Sequence, residues 1–232
     1  MSGVDPERDP RAVEATARAL ADWISTFPMS GELGAAMAEA CDAGAPWPAG
    51  VAATAARAAG WRDEETMAWA IGVGALAGAL EAARASLEHG SGIAGSEPDS
   101  TADGPARELL AADGLIAAAH EALSSLDPER LEVALRAVEE EFGDGGPWRA
   151  LDVDRPRPGW PWLVAVAVGP AAADPVGPWA EVRAAWRSAY PAGSGEPRPA
   201  DLETLAGPLA LEESARALLR AAAEAASRPA ER

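Results

Sequence analysis

The chain has 232 residues, 48% of them hydrophobic, and a formal net charge of −18. This length suffices for one large domain or two small ones, and the hydrophobic content is that of a globular protein. Because so acidic a surface repels nucleic acids and anionic membranes, both are excluded as partners.

Three further features of the sequence indicate in which cellular compartment the protein is expected. The single cysteine, Cys41, cannot form an intrachain disulfide and fits a reducing environment. The charged N-terminus lacks the apolar segment of a signal peptide. The longest uncharged runs, 66–80 and 159–173, are shorter than the roughly 18 to 20 residues of a membrane-spanning helix. We therefore expect a cytoplasmic protein without a membrane span.

The first part of the chain is predicted to be helical, because much of the hydrophobic content is alanine, which favours helix over strand. Residues 1–8 are polar, and we expect them to be disordered, whereas residues 9–228 show no clear internal boundary and are predicted to form a single all-α domain. The early elements are a helix that opens at Pro10, a short helix around Met37 and Cys41, a break at Pro46-Trp47-Pro48, and a helix over 51–59.

Two long predicted helices follow. The first runs from Glu64 to His89, with Asp63 as its N-cap and Gly90 just past its end. The second opens at Gly104 and ends before Asp127. We expect Gly72, Gly74 and Gly78 in the first helix to mark close helix contact or a ligand cavity, since glycine costs up to about 1 kcal/mol in a helix interior.

The last part of the chain is also predicted to be mostly helical. Residues 162–168 are apolar on all sides, so they are buried, either as helix or as strand. The other predicted elements are a helix from Pro128 with Leu131, Leu135, Val138 and Phe142 facing inward, a helix over 179–190, and a final helix over 209–227 supported by a Glu212/Arg216 pair.

Few residues suggest catalysis or metal binding. Gly90 to Gly95 matches the dinucleotide pattern G-x-G-x-x-G, but it follows a helix, whereas that fingerprint needs a preceding strand. His89 and His120 lack neighbours at ligand spacing, so we interpret them as a helix cap and an interior polar residue. Cys41 is interpreted as a small core residue. No cofactor is expected.

The acidic clusters give no clear metal site either. Glu139 to Glu141, with Asp144, could bind a cation, but consecutive helical residues point in different directions, so a solvated face is the better interpretation. Asp152 and Asp154 flank a single residue in a predicted loop and are weak candidates. No metal is therefore expected.

Four segments resemble, in order, the trans-isoprenyl diphosphate synthase (polyprenyl synthetase) family. Glu81 to His89 looks like the helix that ends in His just before the first aspartate-rich motif. Gly104 followed by Leu109-Leu-Ala-Ala-Asp113-Gly-Leu resembles the family's Gly-x-x-x-Ala-Ile-Leu-Ala-Gly-Asp-x-Leu helix. Gly177-Pro-Trp-Ala-Glu181-Val aligns with Gly-Leu-Ala-Phe-Gln-Ile. Leu211-Glu-Glu-Ser214 lies where the family's last helix reads Gly-Leu-Glu-x-Ser.

The resemblance implies an isoprenoid-synthase-like bundle of long antiparallel helices around a central cavity. In the family, two Asp-Asp-x-x-Asp motifs hold Mg²⁺, which neutralises the leaving diphosphate. Here the first motif's aspartates fall on Gly90, Ser91 and Ala94, and those of the second fall on Ala184, Ala185 and Ser188. The family's Gly-Gly-Lys-Arg-x-Arg-Pro segment is replaced by 43–48, which contains no cation. The resemblance therefore implies a protein that does not transfer prenyl groups by the family's mechanism.

Two functional hypotheses follow from these residues. The first is a non-catalytic partner or regulatory subunit of an active isoprenyl diphosphate synthase, which docks through the face Leu109–Leu123, with symmetric self-association as the alternative use of that face. The second is a stand-alone binder of a neutral isoprenoid or another hydrophobic ligand, or an enzyme with altered, metal-independent chemistry. The candidate cavity or interface residues are His89, Leu110, Asp113, Ile116, His120, Trp179 and Glu181.

Overall fold

The computed structural model describes residues 10–27, 31–44, 46–91, 104–142, 160–189 and 202–227. These residues form ten α-helices and one 3₁₀ turn, and no strand occurs among them, so the all-α prediction is confirmed. Residues 1–8 lie outside this description. The helices are α1 Pro10–Ser25, α2 Gly31–Gly44, α3 Pro46–Ala58, α4 Asp63–Ser91, α5 Gly104–Ser124, α6 Pro128–Phe142, α7 Trp160–Ala167, α8 Pro178–Ala189, α9 Leu202–Ala206 and α10 Glu213–Ser227, with the 3₁₀ turn at Ala171–Ala173.

The central element is the antiparallel pair α4 and α5, which make more contacts with each other than any other two helices do. A β-carbon built on Gly72 would lie 2.8 Å from Cδ2 of Leu123. At the far end of the pair, the Ser86 hydroxyl donates a hydrogen bond to the carbonyl of Pro105 over 2.8 Å. The expectation that glycine marks close helix contact is therefore confirmed at Gly72.

A second close contact brings α2 onto the same pair. A β-carbon on Gly78 would lie 2.6 Å from Sγ of Cys41 and 3.2 Å from Cδ1 of Leu115. Cys41 is buried, and its burial, followed by the charge of Asp42, raises the pKa of the thiol to about 12. Because so little thiolate forms at neutral pH, Cys41 acts as a packing residue, as predicted, and not as a nucleophile.

A second layer is formed by α3, α7, α8 and α10, and two tryptophans join it to α4 and α9. The fully buried Trp69 indole donates a hydrogen bond to the carbonyl of Ala167 over 3.1 Å. The fully buried Trp186 indole donates to the carbonyl of Leu205 over 2.9 Å. The apolar segment 162–168, for which the sequence left helix and strand open, is mostly the helix α7, and its residues 163–168 are buried.

The first turn of α4 is capped by its own side chain. The Glu65 carboxylate accepts a hydrogen bond from the Arg62 backbone N–H over 2.8 Å and another from the Arg62 guanidinium over 2.6 Å. These hydrogen bonds lower the pKa of Glu65 to about 2. The helix begins at Asp63, so the N-cap is Arg62 and not Asp63 as predicted. A glutamate that reaches back to the N-cap residue satisfies a backbone donor that the helix itself leaves unpaired.

Three predictions about the elements are wrong. Pro46-Trp47-Pro48 does not break the chain but forms the first turn of α3, where backbone donors have no helical partner to lose. The final helix begins at Glu213 and not at Leu209, which lies in a turn and is 85% exposed. Leu135 is exposed as well, and Ala134 and Ala137 occupy the buried face of α6 in its place.

The apolar composition of α4 bears on the membrane prediction. Among the described helices, α4 over Asp63–Glu88 is long and apolar enough to cross a membrane. Its uncharged run, 66–80, is by itself too short to span one. In the structure, 78% of its most apolar stretch is buried inside the fold, and buried core helices commonly have the same composition.

We predict that Gly78→Ala destabilises the fold because the added methyl group would overlap Sγ of Cys41. Overpacking of this kind costs about 1–3 kcal/mol, more than the gain of up to about 1 kcal/mol from replacing glycine by alanine in a helix. Urea unfolding measures the difference, and Cys41→Ala in the same chain should recover at least half of the loss.

Gly34→Ala is the matched control, because Gly34 lies inside α2 and a β-carbon there meets nothing within 4 Å. It should stabilise the protein by up to about 1 kcal/mol. Equal stabilisation by both glycine substitutions would contradict the close contact at Gly78.

We predict that Glu65 contributes stability only while it is ionised. Its folded pKa of about 2 lies below the ordinary value of 4.5, so its contribution is complete above about pH 4.5 and disappears as the pH falls towards 2. The difference in free energy of unfolding between wild type and Glu65→Gln should therefore shrink over this range in urea titrations.

Glu64→Gln serves as the control because it removes the same charge from an exposed side chain in the same turn of α4. If the difference in free energy of unfolding between wild type and Glu65→Gln stays constant from pH 7 to pH 2, the ionised Glu65 cap does not cause it.

Candidate functional site

The degenerate first-motif positions lie at the C-terminal end of α4. His89, Gly90 and Ser91 form its last turn, and the structure describes only their backbone. Ala94 lies outside the described residues, as do the remaining positions of the Gly-rich run. Glycine and alanine have no side chain that can bind a cation, so of these positions only Ser91 offers a hydroxyl.

The degenerate second-motif positions lie on α8. Ala184 and Ser188 are exposed, whereas Ala185 is half-buried. The Ser188 hydroxyl donates a hydrogen bond to the carbonyl of Ala184 over 2.8 Å, within its own helix. This part of α8 therefore presents two methyl groups and one internally bonded hydroxyl, which is no ligand set for Mg²⁺.

Four predicted residues lie on the outer side of α5. Leu110, Asp113 and His120 are exposed and Ile116 is half-buried. The prediction of an interior polar role for His120 is therefore wrong. The helix directs small residues inward instead, and its buried positions are Glu108, Ala111, Ala112, Gly114, Leu115, Ala118, Ala119, Ala122 and Leu123.

This arrangement also corrects the predicted docking face over Leu109–Leu123. Most of that face is buried within the chain, against α4. The exposed leucines are Leu109 and Leu110, whose exposed fractions are 54% and 57%. Leu87, near the end of α4, is 47% exposed. The apolar surface left over is therefore small and lies towards the end of the helix pair where Ser86 meets Pro105.

Trp179 and Glu181 both lie in the first turn of α8, separated by Ala180, but have different surroundings. Trp179 is 8% exposed and belongs to the second core layer. The Glu181 side chain is exposed and lines an open pocket. Its carboxylate has no hydrogen-bond or ion-pair partner among the described residues, and the dipole of α8 favours a negative charge at this end of the helix.

The open pocket has a volume of about 400 Å³ and lies between α8, α9 and α10. Of the predicted site residues, Glu181 and Ala185 line it together. Glu203, Thr204, Arg216 and the turn 207–209 complete the wall. Arg216 is only 8% exposed, and its guanidinium pairs with Glu203 and with Glu213, each over 3.2 Å.

These contacts replace the predicted Glu212/Arg216 pair with a different one. Arg220 binds the same Glu203 carboxylate over 2.9 Å, and this hydrogen bond raises the pKa of Arg220. Glu203 thus joins α9 to two arginines of α10. The sequence pattern suggested Glu212 as the partner, because nothing in it shows that α10 begins only at Glu213.

A buried carboxylate between α6 and α8 is the polar feature that sequence reasoning missed. The Glu141 side chain is 3% exposed and accepts hydrogen bonds from Nε of Arg183 over 3.1 Å and from Nε of Arg187 over 2.6 Å. Glu140 pairs with Arg183 over 2.8 Å. The prediction that 139–141 form a solvated face is therefore wrong for Glu141.

This network is explained by the helix termini. Glu139, Glu140 and Glu141 lie near the C-terminus of α6, where the helix dipole disfavours negative charge. The compensating positive charge comes from Arg183 and Arg187, which lie one turn apart on α8. These carboxylates are therefore balanced by side chains and not by a bound cation. The only sign of this network in the sequence is the i, i+4 spacing of the two arginines, which places them on one face of a helix. Among the described side chains, no group of three potential metal ligands occurs.

Comparisons with known proteins do not assign a family or a function to this chain. No family model matches the chain. No curated protein matches its sequence, and no solved structure matches its fold. The resemblance to isoprenyl diphosphate synthases therefore remains a hypothesis that depends on the four sequence segments, and the function is argued from the residues themselves.

Proposed function

We propose that this chain is a non-catalytic helical protein, derived from the isoprenoid-synthase architecture, that acts as a partner or regulatory subunit of an active isoprenyl diphosphate synthase. The observation that carries the proposal is the state of the second-motif positions. Ala184 and Ala185 have no ligand atoms in their side chains, and the Ser188 hydroxyl is bonded to its own helix. A diphosphate brought here would meet no side chain that can hold a metal ion to neutralise it.

The charges around α8 support the same proposal. The cations nearest to these positions, Arg183 and Arg187, are already bound by Glu140 and Glu141. Holding a diphosphate with them would require breaking this network and leaving the buried Glu141 carboxylate unpaired. Loss of one partner from a buried pair costs about 3–5 kcal/mol, so recruiting these arginines for substrate is unfavourable.

The alternative of a stand-alone isoprenoid binder has less support. It requires an enclosed apolar chamber, and where α4 and α5 meet, the described residues fill the space with glycine, alanine and leucine at van der Waals distance. Altered catalysis by Asp113 or Glu181 would need a partner that activates the carboxylate, and neither has one among the described residues.

A partner role needs a docking surface, and Leu109 and Leu110 offer one. Both side chains are more than half exposed on α5. Large apolar residues at such positions lose contact with water when a partner covers them. Because two copies of a chain with a net charge of −18 repel each other, we propose a less acidic partner and not a second copy.

We predict that the purified protein does not bind a prenyl diphosphate in a Mg²⁺-dependent manner. Calorimetric titration with geranyl diphosphate should give the same absence of heat with and without Mg²⁺, and incubation with isopentenyl diphosphate should give no longer product. A synthase with both aspartate motifs is the positive control. Tighter binding of geranyl diphosphate on addition of Mg²⁺ would refute the non-catalytic proposal.

We predict that affinity capture from the native host recovers a synthase with complete aspartate motifs, at near-equal stoichiometry. Leu109→Glu combined with Leu110→Glu should reduce the recovery by about tenfold or more, since truncation of central interface residues commonly has effects of this size. Thermal unfolding of the variant should be close to wild type, because both side chains are exposed.

Leu135→Glu is the matched control, since Leu135 is 46% exposed but lies on α6. It should leave the recovery unchanged. Recovery of the protein alone, or equal recovery with both variants, would count against a synthase docked at Leu109 and Leu110.

A further inference from the structure

The open pocket between α8, α9 and α10 has an uneven distribution of charge. Its buried cation, Arg216, is held by Glu203 and Glu213. Arg220, which shares Glu203, is held as well. The Glu181 carboxylate is the charged group of the wall that has no partner among the described residues. The pocket therefore has one carboxylate that pairs with no cation among the described residues, and only the dipole at the N-terminus of α8 partly compensates its charge.

Besides these charged residues and Thr204, the wall is apolar. Its apolar side chains are Ala185, Pro208 and Leu209, and Leu209 is 85% exposed. The turn that carries Leu209 is fixed at Gly207, whose φ is +89°. A β-carbon on Gly207 would lie 2.6 Å from Val182 and 2.7 Å from Leu211, so only glycine fits at this position.

We propose that this pocket receives the side chain of an arginine or lysine from a partner protein, with the cationic group at Glu181 and the aliphatic stem against Leu209 and Ala185. Long basic side chains have this combination of an apolar stem and a charged end. The volume of about 400 Å³ lies within the range of pockets that bind small groups.

The charge of the pocket favours a basic side chain over an anionic ligand or a second copy of this chain. An anionic ligand would face the unpaired Glu181 carboxylate. The terminal Nη atoms of Arg216 and Arg220 are bound by Glu203 and Glu213, and their Nε atoms, which have no partner in the described part of the chain, are buried. A second copy of this chain would bring its own charge of −18, so the acidic surface favours a basic segment. The inference goes beyond the proposed function, because it specifies a contact that does not depend on which partner is present.

The test uses a short acetylated and amidated peptide, Ala-Ala-Arg-Ala-Ala, and the same peptide with citrulline in place of arginine. Citrulline has the same shape as arginine but no charge. In ¹⁵N-labelled protein, the arginine peptide should shift the backbone amide signals of Thr204 and Gly207, and it should bind about threefold to fivefold more tightly than the citrulline peptide, as expected for one exposed ion pair.

Two variants of equal charge separate a specific contact from general attraction to an acidic protein. Glu181→Gln should abolish the preference for arginine over citrulline. Glu121→Gln, which changes an exposed side chain on α5, should retain it. The inference is overturned if both peptides bind equally to wild type, if both variants lose the preference equally, or if the amides of Thr204 and Gly207 do not shift. None of these results depends on the synthase, so the proposed function could fail while this contact stands.

Discussion

The close approach of α4 to α5 and α2 is the constraint on which the rest of the structure depends. At Gly72 and Gly78 the neighbouring side chains of Leu123 and Cys41 occupy the space that a β-carbon would need. Helices this close can have only small residues between them, so alanine fills the interface over most of its length. The helices α1, α2, α3 and α7 pack directly on α4, whereas α8 and α10 pack on α7 and α3 and so depend on the pair indirectly.

A consequence of this packing is that residue size and burial are reversed on several helices. In α5 the interior positions are mostly alanine, whereas Leu109 and Leu110 lie outside. In α6, Ala134 is buried and its neighbour Leu135 is exposed. Leucines displaced from the interior in this way leave apolar groups on the surface, and these are the groups on which a partner role depends.

The sequence predicts most helices of this fold because their termini follow local rules. Proline at the first helical position marked Pro10 and Pro128 correctly. The same rule was misapplied at Pro46-Trp47-Pro48, because two prolines within one first turn interrupt no hydrogen bond of α3. The start of α10 was missed because Leu209 continues the apolar pattern of that helix, whereas the backbone turns at Gly207.

The candidate site was less predictable, because its contacts join residues that are distant in the sequence. Glu181 was identified from the sequence, but its pocket is formed with Glu203 and Arg216, which the sequence does not associate with it. Glu141 meets Arg183 42 residues later in the chain, and no local pattern predicts such a pair. The sequence predicts an interior role for His120, whereas its side chain is exposed and the buried side of α5 is mostly alanine.

The alanine-rich contact between α4 and α5 also changes the relative size of the entropic and hydrophobic contributions to the free energy of folding. Alanine has no side-chain rotamers to lose, so ordering this interior costs little side-chain entropy. Each alanine removes little apolar area from water in return, and the heat capacity change of unfolding depends on that area. This part of the fold is therefore stabilised more by a small entropic cost than by a large hydrophobic gain, and its stability should vary only gently with temperature.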